Sequence, residues 1–275
     1  MSALKPGFVL GPGHKPAVIE GWSEDFSYAF YRRIIGKLKA EFRPTLLRDA
    51  LEAETGTLPL AIVRHDVDLC PGIAARMARL EHELGFRSTY LLLTDSPLYR
   101  LEDASTEAHV RKIAALGHEI ALHFDLDDTS RLSGRSITEL EDHVRAAAAR
   151  VAAISGQPVQ SVSFHRPIDL VDLGRDRIAG LVNAYGADLM RWYLSDSNAC
   201  WREGDPLASL ESPRHSKLQM LVHPIWWGDN HLTRQERLDE FCDSRGDQTA
   251  DFDQLLFDGI GLSRGRGTNK LERDG

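Results

Sequence analysis

The 275-residue sequence predicts an α/β fold built on a largely parallel sheet, and two features carry that prediction. One is a unit of helix, glycine and strand that occurs three times along the chain. The other is a set of acids and histidines at the C-terminal ends of the strand candidates, the edge on which parallel α/β folds build their sites. Strands that alternate with helices leave two architectures open, an open doubly wound sheet and a closed barrel.

The elements follow in order. Residues 1–20 contain GPGHKP and no periodicity, which reads as a loop or a loosely packed arm. FSYAFYRRIIGKLKAEF and TLLRDAL, between Phe26 and Leu51, read as two helices that could cover the end of a barrel. LAIVRHDV is the first strand of the repeated region. IAARMARLEHEL then places Ile73, Met77, Leu80 and Leu84 at helical spacing, and Gly85 ends that helix before FRSTYLLL. The unit returns as EAHVRKIAAL, Gly117 and HEIALHF, and again as ELEDHVRAAAARVAAIS, Gly156 and PVQSVSFH. A helix is expected around DRIAGLVNAY, then strands at LMRWYLSD and LQMLVH, and a last helix around LTRQERLDEFCD. This gives about six strands after residue 60, with a seventh hard to place.

The chemistry gathers at strand ends. In an extended chain Arg64, Asp66 and Asp68 share one face, and His65 and Val67 the other. Two carboxylates side by side stay ionised cheaply only with a cation or a shared proton between them, so the pair asks for a metal, a catalytic role, or both. Asp66 and Asp68 end the first strand of this region, His123 and Asp125 the third, His165 and Arg166 the fourth, Asp196 the fifth and His223 the sixth. Their convergence on one mouth is the argument for an enzyme.

Composition narrows the partners. A formal charge of -8 with dispersed arginines argues against nucleic acid, which needs a basic face. No apolar run is long enough for a span and no basic start precedes one, so a cytoplasmic protein is expected. Cys70, Cys200 and Cys242 are widely separated without a C-x-x-C pair, as expected of thiols in a reducing compartment. The expected organisation is a single domain overall. It comprises an arm and helices over 1–59, a barrel over 60–245 and a polar tail over 246–275.

RHDVD, GHEIALHFD, SFHRP, YLSDSNACW and LQMLVHPIWW resemble the ordered motifs of the polysaccharide deacetylases, the NodB-homology or carbohydrate esterase family 4 proteins, over roughly residues 60–228. The resemblance implies a distorted barrel of about seven mostly parallel strands, with the N-terminal helices covering one end. It also implies hydrolysis of an N-acetylated sugar or a related amide with a divalent metal. Asp66 then matches the catalytic base, Asp68 and His123 match metal ligands, His223 the general acid and Asp196 the acid that orients it. Arg166 or Arg64 would hold Asp66.

Two motifs depart from the family. The residue four after His123 is Asp127 rather than histidine, and His165 stands where the third motif carries arginine. The third ligand is therefore His165, the preferred reading, or Asp127. One carboxylate and two imidazoles suit zinc best, with cobalt, nickel or iron also fitting. A non-catalytic relative that binds carbohydrate, and an amidase for a small non-sugar amide, are the alternative functions. His65, His118, Glu119 and His143 read as structural, most of Trp192, Trp201, Trp226 and Trp227 as packing, and Asp127 and Asp128 also as loop residues.

Overall fold

A computed structural model describes residues 21–54, 56–125, 137–165, 174–212 and 214–245. After helix α1 (Tyr28–Glu41) and the short strand β1 (Arg43–Pro44) comes β2 (Leu60–Val67). Three helix–strand units follow: α2 (Pro71–Glu83) with β3 (Thr89–Leu93), α3 (Ala104–Ala115) with β4 (Glu119–Asp125), and α4 (Ile137–Ser155) with β5 (Ser161–His165). The chain continues through β6 (Arg177–Ile178), β7 (Leu181–Asn183), β8 (Tyr193–Ser195), the one-turn α5 (Pro206–Ser209), β9 (Lys217–Val222) and α6 (Arg234–Arg245). The glycines after α2, α3 and α4 have φ of 66°, 89° and 70°. Left-handed backbone there lets each helix stop and turn into its strand.

The strands form one sheet in the order β6-β7-β5-β4-β3-β2-β9-β8, with β1 also on β2. Every pairing is parallel except β6 with β7. Leu60 and Ile62 of β2 share an apolar cluster with Leu91 of β3, Ala121 of β4 and Val182 of β7. Strands β2 and β7 lie four steps apart, roughly 19 Å if the sheet were flat at about 4.8 Å per step. Gln219 Nε2 on β9, one step further still, nevertheless donates to the Ala184 carbonyl just after β7 at 2.9 Å, which requires the sheet to curl, and the fold is a half-barrel of mostly parallel strands.

Alternate residues face outward. Ala61 and Val63 pack with Phe30, Tyr31, Ile34, Ile35 and Leu38 of α1, and Tyr90, Leu92, Phe124 and Phe164 pack with α2, α3 and α4. Both faces are thus covered, which explains why β2 reads as an unbroken buried run. Among the described residues, no helix is long and apolar enough to cross a membrane.

Three local expectations are corrected. DRIAGLVNAY is a hairpin rather than a helix: Ile178 pairs antiparallel with Leu181 across Ala179 (φ 55°) and Gly180 (φ 83°). Two left-handed residues make a tight primed turn, and Val182 supplies β-branched core to the curl. The hairpin contains the strand that was hard to place. TLLRDAL makes only a 3-10 turn, Leu47–Asp49. Its Leu47 and Arg48 amides donate to Thr89 Oγ1 and Glu119 Oε2, so this turn closes the N-terminal end of the curl while α1 lies along its outside. The strand in LMRWYLSD is confined to Tyr193–Ser195. The arm over 1–20 and the tail over 246–275 lie outside the described residues.

Candidate metal and catalytic site

The site is assembled by the C-terminal ends of β2, β4, β5, β8 and β9. Arg64 and Asp66 point inward from β2, while His65 faces outward to Glu81 of α2 at 2.8 Å, as strand alternation requires. Arg64 Nη1 donates to both Asp66 oxygens at 3.2 and 3.3 Å, with the pair almost fully buried. Arg64 also lies over the Tyr185 ring, 5.1 Å from its centroid. Asp68 comes just after β2, where Ser96 Oγ donates to its carbonyl and Tyr99 Oη to the Val67 carbonyl, at 2.7 and 2.8 Å. These bonds fix the backbone between the two acids.

Asp68, His123 and His165 each offer an atom to a group whose members all lie within 4.8 Å of one another, and all three residues are buried. His123 Nε2 is 3.2 Å from Asp68 Oδ1 and 3.7 Å from Asp66 Oδ2. His123 Nδ1 lies 2.6 Å from Ser163 Oγ, which donates onward to Asp66 at 3.5 Å. With the serine hydrogen directed at Asp66, Nδ1–H of His123 is the donor to Ser163 and Nε2 keeps its lone pair. A lone pair facing a carboxylate oxygen at this distance needs a proton or cation between them, and Asp68 Oδ1 is buried with no hydrogen-bond partner among the described residues. This donor set fits a divalent ion. Burial alone would raise the Asp68 pKa; the His123, His165 and His223 imidazoles around it outweigh burial and hold the group well below the usual carboxylate range.

His223 closes the other side, its Nε2 4.0 Å from Asp68 Oδ2. Its Nδ1–H donates to Asp196 Oδ1 at 2.7 Å, and its backbone amide reaches both Asp196 oxygens. Trp227 Nε1 donates to Asp196 Oδ2 at 2.8 Å, so this fully buried carboxylate is held by three donors. Burial disfavours the imidazolium, but the Asp196 hydrogen bond and charge, with Asp68 and Asp66 behind, push the His223 pKa up to about 9. A recess lined by Asp66, Asp68, Cys70, Pro224 and Ile225 leads to these groups.

The structure thus brings together Asp66, Asp68, His123, His165, Asp196 and His223. It gives the grip on Asp66 to Arg64; Arg166 and Asp127 lie outside the described residues. Glu119 is structural, accepting from Thr89 and Ser161 at 2.7 and 2.6 Å, and His118 is held by Ser88 and Ala78. His143 Nδ1 bonds the Glu139 carbonyl on α4. Trp227 belongs to the four late tryptophans of which most read as packing; nothing in the spacing of LVHPIWW marks its hydrogen bond to Asp196. Ser163 could have been singled out by its place two before His165, on the same face of the strand.

No family model matches this sequence, and no curated protein matches it. Solved structures do. A family 4 carbohydrate esterase from Bacillus anthracis aligns at 13% identity over 86% of this chain and 95% of its own, with a TM-score of 0.42. One from Streptomyces lividans, in complex with acetate, aligns at 13% identity over 68% and 90%, TM-score 0.38. A peptidoglycan deacetylase from Bacillus subtilis aligns at 12% identity over 68% and 84%, TM-score 0.38. At these TM-scores and identities, what those proteins act on does not transfer to this chain, whose chemistry has to be read from its own site.

Proposed function

We propose that this chain is a metal-dependent hydrolase of a carbon–nitrogen amide bond, a deacetylase acting on an N-acetylated sugar. The observation that carries the reading is an acid and a base on one ligand group. Asp66 lies 3.7 Å from the His123 nitrogen, and His223 lies 4.0 Å from the Asp68 oxygen. The sugar itself is supported by the motif resemblance.

Asp68, His123 and His165 would hold the divalent ion, with zinc favoured by one oxygen and two nitrogen donors, and the ion would polarise the amide carbonyl and acidify water. Asp66 takes the proton from the attacking water. Arg64 holds that carboxylate in place through both oxygens, and its burial prevents the pair from exchanging for solvent contacts. His223, protonated at neutral pH because of Asp196, delivers a proton to the departing nitrogen.

The test is acetate release from a panel of N-acetylated amino sugars by metal-loaded protein. Asp66→Asn should retain the metal and lose at least a hundredfold in rate, because it removes a base and not a ligand, whereas Asp68→Asn should lose both. Equal hydrolysis by wild type and Asp66→Asn would refute the mechanism. No release from any sugar by metal-loaded wild type would refute the deacetylase reading and favour a carbohydrate-binding protein.

A further inference from the structure

The second imidazole is missing four residues after His123, and the pairing of β4 with β5 explains how the site manages without it. HFD and SFH lie side by side in parallel register: His123 opposite Ser163, Phe124 opposite Phe164, Asp125 opposite His165. On the inner face, His123 Nδ1 is 2.6 Å from Ser163 Oγ, and His165 Nδ1 is 3.4 Å from Asp125 Oδ2. Each strand therefore supplies one imidazole and the acceptor for its neighbour's imidazole. On the outer face Phe124 and Phe164 meet edge to face, ring centroids 6.2 Å apart, which holds the two strands in this register.

We infer that HFD and SFH form a reciprocal cross-strand clamp in which Ser163 and Asp125 are positioning residues, fixing His123 and His165 as the tautomers that carry hydrogen on Nδ1 and turn Nε2 toward Asp68. A histidine held in this way needs no reorientation to bind a cation, and its outer acceptor raises its basicity. The clamp extends the ligand assignment proposed above and rests on it for its purpose. Asp125 completes the His165 half: a ring whose Nδ1 is engaged has one nitrogen left to join Asp68 and His123, whose ring lies 5.3 Å away.

The experiment uses full-length, ¹⁵N-labelled, metal-free protein, with imidazole tautomers read by NMR and zinc affinity by competition with a chromophoric chelator. Wild type should show Nδ1–H at both His123 and His165. Ser163→Ala should release His123 only and Asp125→Ala His165 only, each weakening zinc about 10–100-fold. Asp125→Asn keeps an oxygen acceptor, so it should keep the His165 tautomer, and it serves if the alanine variant does not fold; Ser163→Thr does the same for His123. Lower melting with unchanged tautomers in the alanine variants, or release of both histidines by either one, overturns the clamp. Failure of wild type to bind zinc defeats the proposed function instead, and the tautomers still decide the clamp.

Discussion

Arg64 and Asp66 stand two apart on β2, and strand alternation alone puts them on one face. What the sequence could not tell was whether Arg64 or Arg166 would grip Asp66, because curl and burial decide which guanidinium reaches it. In the structure both members of the Arg64–Asp66 pair are buried, at 0% and 3% exposure of their side chains, so removing either charge destabilises the fold. Arg64→Leu leaves a buried carboxylate without its guanidinium and should cost about 3–5 kcal/mol of unfolding free energy. Adding Asp66→Asn removes that uncompensated charge, so the double variant should be more stable than Arg64→Leu alone by at least ~1 kcal/mol. Urea unfolding of the four metal-free proteins measures this, and strictly additive losses would show that the pair is not coupled. His165 was legible by a different route. It ends an apolar strand with two serines on its own face, whereas the bond that Ser163 makes to His123 depends on a cross-strand register that no single strand reveals.

At the scale of elements, strong periodicity was legible and short hairpins were not. The helices α2, α3 and α4 repeat apolar residues over twelve residues or more, and left-handed glycines end them. The β6–β7 hairpin has five residues in its strands and a turn of alanine and glycine, so its only local signal is weak, since alanine favours helix. Tertiary burial overrides that preference: Ile178 and Val182 are nearly inaccessible and belong to different clusters on opposite sides of the sheet. Ala179 consequently sits at φ 55°, where an L-residue with a Cβ is unfavourable by about 1–2 kcal/mol. Asparagine accepts this region more readily, and Asn-Gly is a preferred pair for a primed two-residue turn. Ala179→Asn should therefore stabilise the protein by roughly 0.5–1 kcal/mol, whereas Gly180→Val, forced to φ 83°, should destabilise it by more. A lower melting temperature for Ala179→Asn than for wild type would contradict the turn assignment.

The whole molecule carries buried charge on both sides of its sheet, and its acids and His223 respond to pH in opposite directions. On the outer side, Glu81 accepts from Tyr31, Ser88 and Tyr90 at 2.5–2.8 Å and faces His65. Burial would raise its pKa, but the charges of His65 and His118 and these hydrogen bonds bring it down to about 2. A carboxyl below its ordinary 4.5 stabilises the fold above pH 4.5 and loses that contribution as pH falls toward 2. Burial lowers the pKa of His118 from 6.5, overriding the opposite pull of Glu81, so stability also declines as pH falls through 6.5 and the unfolded chain takes up that proton first. Inside the curl His223 has the opposite sign. His223 is raised from 6.5 to about 9, so its contribution is complete below pH 6.5 and is lost as pH rises through 9. That interval corresponds to about 3–4 kcal/mol at roughly 1.4 kcal/mol per pH unit. Asp196 is the chief reason for the rise, and Asp196→Asn keeps the shape while removing the charge. The variant should be less stable than wild type near pH 6.5, and the difference should shrink as pH approaches 9. Chemical denaturation of both metal-free proteins across this range cancels every other group that titrates there. A constant difference between pH 6.5 and 9 would mean that His223 draws no stability from Asp196, and the acid assigned to the leaving nitrogen would lose its source of protonation.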